Sequence, residues 1–155
     1  MSDNWIRLIP TSATWEPEAA AAEAATAYVA SLFAAPGDSA DEVVHEFYGQ
    51  VAFIDSGVNT ASSTCRACGR VTGVDWILEV IDARSNDLRD LKVTLPCCGV
   101  AANLNELDYD WPMGFALFEI GVLNGTRGRY ELDATELEQT GAILGHPVRQ
   151  VLAPY

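Results

Sequence analysis

The chain has little positive charge and almost no lysine. Its 155 residues include 9 Lys and Arg against 22 Asp and Glu, so the formal net charge is −13, and Lys92 is the single lysine. Binding to a nucleic-acid backbone depends on clustered Lys and Arg, and an anionic membrane surface attracts the same residues. The composition therefore argues against both as the main partner.

The sequence also lacks the long apolar segments of membrane proteins. It contains no stretch of 18 apolar residues, and residues Met1 to Trp5 lack the basic and apolar regions of a signal peptide. We therefore expect a cytoplasmic protein. Because 49% of the residues are apolar, we also expect a folded chain, and the length suits a single domain over residues 1–155.

Common catalytic motifs are missing as well. Neither a Gly-x-Ser-x-Gly nor a His-Glu-x-x-His pattern occurs, and the chain has two histidines. His45 stands among apolar residues of a predicted strand, and His146 stands between a glycine and a proline at a predicted helix end. We interpret both as packing residues, and the sequence does not support an enzyme.

Four cysteines carry the strongest chemical signal in the chain. Cys65 and Cys68 form a Cys-x-x-Cys-Gly unit, and Cys97 and Cys98 follow as an adjacent pair before Gly99. Close cysteine pairs in a cytoplasmic protein favour metal binding over disulfides. We therefore predict a structural zinc site with Cys65, Cys68, Cys97 and Cys98 as ligands, since a site closed by four thiolates leaves no position for a catalytic water.

The adjacent pair is unusual, because neighbouring side chains on a regular strand point to opposite faces. Both cysteines can bind one ion only if the backbone turns there, and Pro96 and Gly99 make a turn plausible. Whether both bind the same ion stays open. The alternative is three cysteines with His45, His146 or a carboxylate.

The order of predicted elements suggests a fold class. If residues 57–112 are removed, the chain reads strand–helix–strand twice, which is the order of a ferredoxin-like split βαβ sandwich. We predict this α+β framework, with a zinc-ribbon-like insert at residues 57–112 between its second and third strands. Residues 75–83 could form either a helix or a strand. A continuous α+β domain without a separable insert is the alternative.

The cysteine segment also resembles a known group of sequences. The run Leu95-Pro96-Cys97-Cys98-Gly99, followed by residues 104–109 and 112–115, is similar to uncharacterised bacterial proteins that carry an upstream Cys-x-x-Cys and an LPCCG-type segment. The resemblance covers roughly residues 65 to 118. It implies a bacterial protein with a zinc ribbon and implies no particular reaction.

The charge suggests a function. We expect a non-enzymatic, zinc-stabilised protein whose acidic surface binds a basic protein partner, as an immunity-like inhibitor would, although acidity also serves solubility alone. Two alternatives stay open. One is an enzyme that uses Asp108 and Asp110 beside an incompletely ligated metal. The other is a nucleic-acid-binding zinc ribbon, which would need a local basic face built by four arginines, Arg66, Arg70, Arg84 and Arg89.

Overall fold

A computed structural model describes residues 3–57, 62–84 and 87–155 of the chain, so residues 58–61 and 85–86 of the predicted insert lie outside the described residues. The described strands are β1 (Asn4–Pro10), β2 (Glu42–Ile54), β3 (Ser62–Thr64), β4 (Val71–Gly73), β5 (Lys92–Thr94), β6 (Ala101–Asn103), β7 (Asp108–Tyr109), β8 (Gly114–Leu123) and β9 (Val148–Pro154). The helices are α1 (Ala19–Ser31), α2 (Val74–Ala83) and α3 (Ala134–Leu144), with a 3-10 turn at Leu104–Glu106.

The largest sheet has four strands in the order β2-β8-β1-β9, and every neighbouring pair is antiparallel. Side chains that alternate along β1 point to opposite faces. Ile6 and Leu8 are buried in a core formed with α1 and α3, whereas Arg7 lies on the opposite face with Glu119. The chain is therefore a mixed α+β protein with antiparallel sheets.

Two local features of this framework agree with the sequence. Asp133 and Glu136 form a reciprocal capping box at the start of α3, and Gly145 ends the helix at a φ of 99°. Pro36 and Gly37 predict that the first helix runs to about Ala35, whereas α1 ends at Ser31. None of the helices in the described ranges is long and apolar enough to span a membrane.

Strand β2 is irregular near its middle. Its pairing with β8 shifts between Phe47 and Ala52, and Gly49 in this segment has a φ of 74°. A glycine inside a strand pattern is a sequence signal for a bulge, and it adopts such a φ without strain, so Gly49 permits the bulge at this position. The bulge divides β2 into two halves that face different environments.

The insert forms a second core with the framework. Residues 74–83 form helix α2, and its buried Ile77 and Ile81 share a turn-spaced stripe. They belong to a buried cluster that also contains Val51 of β2 and Phe115 of β8. The Phe115 ring stacks on Phe53, with ring centroids 5.2 Å apart. The insert is thus packed directly on the ends of two framework strands.

This shared core yields a first prediction. Phe115→Ala removes a fully buried ring at the junction and should lower the free energy of unfolding by about 3–5 kcal/mol. Phe47→Ala on the same sheet is the matched control, since its ring is 39% exposed and should cost less than about 2 kcal/mol. Urea denaturation of both variants measures the difference. Equal losses would mean that Phe115 does not join the two parts.

Candidate metal centre

Two short hairpins carry the four cysteines. Strands β3 and β4 are joined by the turn that contains Cys65 and Cys68, and strands β5 and β6 are joined by the turn that contains Cys97 and Cys98. These strands have three residues each, which is too short for an isolated hairpin to be stable in water. Each turn therefore depends on contacts outside its own hairpin.

The two turns have the same backbone geometry. In the first, the Gly69 N–H donates to the Cys65 carbonyl at 2.8 Å, and the Cys65 N–H donates to the Arg70 carbonyl at 2.8 Å. In the second, the Gly99 N–H donates to the Leu95 carbonyl and the Leu95 N–H donates to the Val100 carbonyl, both at 2.9 Å.

Both glycines have a φ of 75°, a left-handed conformation that residues with a side chain rarely adopt. Each glycine closes its turn, as the Cys-Gly pairs predicted.

Aligning the turns shows how the second differs from the first. Cys98 matches Cys68, whereas the position of Cys65 is taken by Leu95. Leu95 is buried and lines a cavity of about 220 Å³ together with Cys65. Cys97 instead stands one residue before Cys98, at the tip of the turn. The second turn therefore has the backbone of the first. Its other cysteine, however, stands at position 97, two residues after the position equivalent to Cys65.

The turns bring all four thiols together. The four sulfur atoms lie within 4.8 Å of one another, with 3.8 Å between the Cys65 and Cys98 Sγ atoms and 4.0 Å between those of Cys97 and Cys98. A tetrahedral ion with sulfur ligands at about 2.3 Å holds those sulfurs about 3.8 Å apart. A disulfide would need about 2.05 Å. The four cysteines are free thiols, close enough to bind one metal ion.

The thiols affect each other's ionisation. The backbone N–H of Cys68, followed by that of Ala67 and by neighbouring thiols, lowers the pKa of Cys65 to about 6. Burial, followed by hydrogen bonds with the other thiols, raises the pKa of Cys97 to about 12. Cys65 thus takes the negative charge more readily while the Cys97 thiol beside it keeps its proton, because like charges at this distance disfavour each other. A divalent cation would remove that conflict.

The two histidines lie elsewhere. His45 Nδ1 is 3.1 Å from the Thr26 hydroxyl, which is the packed role expected for it. His146 stacks on Trp15 with ring centroids 4.8 Å apart. In the described residues the close group contains the four cysteines and neither a histidine nor a carboxylate. This arrangement does not favour the alternative of three cysteines with His45 or His146.

Asp108 and Asp110, the predicted acidic pair, have roles in loop structure. The Asp110 carboxylate accepts hydrogen bonds from the N–H groups of Ser62 and Trp111, at 3.1 and 2.9 Å. Asp108 pairs with Thr64 in the sheet and lines the cavity beside Cys65. Asp110 therefore holds β7 against β3, and the two carboxylates are not members of one metal-binding group.

The arginines of the insert differ in their contacts. Arg89 forms an exposed ion pair with Asp87 at 2.7 Å, which holds the pKa of Asp87 well below its usual range, at about 2. Arg84 donates to the backbone carbonyls of Asp90 and Lys92. Arg66 and Arg70 remain exposed beside the first turn. Two of the four predicted basic residues are thus engaged within the insert.

A second polar cluster was not predicted. The Arg7 guanidinium donates to both carboxylate oxygens of Glu119, at 2.9 and 2.7 Å, and the Tyr48 hydroxyl donates to the same carboxylate. Arg7 also reaches the Tyr155 hydroxyl at 3.1 Å, and that hydroxyl donates to Asp55 at 2.7 Å. The one sequence signal was a charged residue at position 119 within the apolar run of β8.

In comparisons with known proteins, no family model, curated protein or solved structure matches the chain.

The offset turn yields a second prediction. Co²⁺ serves as a spectroscopic probe for thiolate sites. Losing a residue that only orients a metal ligand weakens metal binding roughly 10- to 100-fold. Because Cys97 is a predicted ligand itself, Cys97→Ser should weaken Co²⁺ binding by more than that. Adding Leu95→Cys should restore binding, because it places a thiol at the position equivalent to Cys65. Co²⁺ absorption titrations report both.

Leu95→Cys in the otherwise unchanged chain is the control and should leave affinity nearly unchanged. If Cys97→Ser binds Co²⁺ as tightly as the unchanged chain, Cys97 is not a ligand.

Proposed function

We propose that the chain is a non-enzymatic, zinc-stabilised acidic module that binds a basic protein partner, as an immunity-like inhibitor does. Its most direct support is the state of the arginines outside the insert. Arg7, Arg127 and Arg129 pair with carboxylates, and Arg149 donates to Asn105. The positive charges of the framework are thus occupied internally.

Many framework carboxylates have no such partner. Between residues 65 and 99, five basic and five acidic side chains balance, so the whole excess of 13 negative charges lies outside that segment. The exposed acids without an ion pair among the described residues include Glu16, Glu18, Glu23, Glu42, Glu46 and Glu138. An acidic surface of this kind speeds encounter with a basic partner and loses that effect as salt rises.

Zinc is the ion that best suits the four thiols. A tetrahedral set of four sulfurs is typical of zinc or iron, and zinc needs no redox chemistry to remain bound. With four protein ligands the ion would have no open position for water or substrate. The zinc would therefore act as a clamp between the two hairpins, which supports a structural role and weakens the proposal of a metal enzyme.

For the framework we propose the ferredoxin-like arrangement. When the insert is left out, strands β1, β2, β8 and β9 become the first to fourth strands, and their order across the sheet is second, third, first, fourth. Helices α1 and α3 each connect two of these strands. The pattern supports a split βαβ sandwich whose second connection carries a zinc-ribbon-like insert at residues 57–112.

The nucleic-acid alternative receives less support. Arg84 and Arg89 are engaged as described above, and Asp75, Glu79 and Asp82 are exposed on α2 in the same insert. A backbone-binding surface needs several free cations on one face.

The zinc proposal gives a third prediction. The native protein should hold one equivalent of zinc by elemental mass spectrometry. Removing it with a chelator should abolish hydrogen-exchange protection in β5 and β6 while β1 and β8 remain protected, because the hairpins depend on the clamp and the large sheet has its own core. Iron in place of zinc, or unchanged protection of β5 and β6, would contradict the proposal.

The partner proposal gives a fourth prediction. Proteins captured from a bacterial lysate at low salt should be basic and should be lost at high salt. With a captured partner, a variant with Glu23, Glu42 and Glu46 changed to Gln should associate several-fold more slowly. The matched control changes Asp75, Glu79 and Asp82 to their amides, which alters the net charge equally but within the insert. Equal slowing by both would show that net charge alone is responsible.

A further inference from the structure

The face of the large sheet opposite α1 and α3 contains a pocket of about 270 Å³. Drug-sized ligands and cofactors occupy pockets of about 300–1,000 Å³, so this one lies just below that range and suits a single side chain. We call it the open-face pocket; its lining residues used below are Trp5, Arg7, Glu46, Tyr48, Glu119, Gly121 and Tyr155.

Aromatic rings form the walls of the open-face pocket. Trp5 lies against Gly121, where an added Cβ would stand 2.8 Å from the ring, so the glycine is what lets the indole approach the strand this closely. Tyr48 and Tyr155 line the pocket as well, and Tyr155 is 49% exposed. The faces of such rings attract cations, and a planar guanidinium also stacks on them.

The charges in the pocket are unbalanced. Glu46 on β2 lies directly opposite Glu119 on β8, and like charges in that position destabilise a sheet. Glu119 is 7% exposed and neutralised by Arg7 and Tyr48. The Glu46 side chain is exposed and makes no hydrogen bond or ion pair with any residue that the structure describes. Its carboxylate is therefore available to a ligand.

Arg7 does not make this an anion site. Two of its N–H groups point at Glu119, and a third reaches Tyr155 and the Asp55 backbone. Its charge is also outnumbered by Glu46, Glu119 and Asp55, whose carboxylate lies 3.9 Å away. An anion would meet a guanidinium already engaged by Glu119 and Tyr155 together with excess negative charge, whereas a cation would meet aromatic rings and an unpaired carboxylate.

We infer that the open-face pocket binds an arginine side chain of the basic protein partner, stacked on Trp5 and paired with Glu46. This deepens the proposed function and rests on it for the identity of the partner as a protein. The pocket itself can be tested without the partner, because its recognition chemistry is that of one guanidinium group.

The test uses NMR of the full metal-loaded chain. N-acetyl-arginine amide is the probe, and N-acetyl-citrulline amide, which has the same shape without the charge, is its control. We expect the arginine probe to shift the Trp5 indole N–H and the amides of Glu46 and Gly121 at low salt, with much smaller shifts from citrulline. No shift at these positions, or equal shifts from both probes, overturns the inference.

Variants make the test specific. Glu46→Gln should weaken binding of the arginine probe about two- to five-fold, as expected for one exposed ion pair. Glu23→Gln removes an equal charge from α1 on the other side of the sheet and should leave the dissociation constant unchanged. Trp5→Leu should weaken binding further, with retained amide dispersion showing that the sheet is intact. If the arginine probe binds the Glu46→Gln and Glu23→Gln variants with equal affinity, Glu46 is not the carboxylate that pairs with it.

The pocket and the partner proposal can fail separately. If the probe does not bind, the open-face pocket is not an arginine site, even if a basic protein is captured in a salt-sensitive way. A probe that binds as described supports the pocket even if no partner is captured at any salt concentration.

Discussion

The meeting of four thiols at the tips of two hairpins is the contact on which the insert depends. Each hairpin has strands of three residues and could not persist alone. They are separated in sequence by α2 and the loop after it, so bringing them together costs loop-closure entropy. Binding of one ion by Cys65 and Cys98 would offset that entropy cost, since structural zinc contributes about 10–16 kcal/mol of apparent binding energy in small domains.

The rest of the insert is arranged around that contact. Its apolar side chains do not enclose a core by themselves, because Ile77 and Ile81 complete their packing on Val51 and Phe115 of the framework. The insert packs on this shared core at one end, and an ion bound by the four thiols would hold it at the other. The bulge at Gly49 allows β2 to serve both parts, since it separates the half that pairs beside Glu119 from the half that packs under the insert.

Local patterns predicted more of this structure than long-range ones did. The capping box at Asp133, the bulge at Gly49 and the Cys-Gly turns were predictable because each is encoded within a few residues. The offset between Leu95 and Cys97 was not, since it becomes visible once the two turns are aligned by their hydrogen bonds. The pairing of Arg7 with Glu119 spans 112 positions. A single sequence carries no signal for such a contact beyond one charge in an apolar strand.

The charges are distributed unevenly along the chain. The charged side chains balance between residues 65 and 99, the segment that carries the thiols, where an excess of acid would compete with thiolates for the same cation. Of the 13 excess negative charges, 10 lie on the framework outside residues 57–112, whose four arginines are engaged by neighbouring side chains. A protein that needed acidity only for solubility could spread it anywhere, and nothing would favour leaving the Glu46 side chain unpaired opposite Glu119 in a pocket that Trp5 also lines. That local conflict has an energetic cost, and a cation seated between the ring and the carboxylate is the simplest way for binding to relieve it.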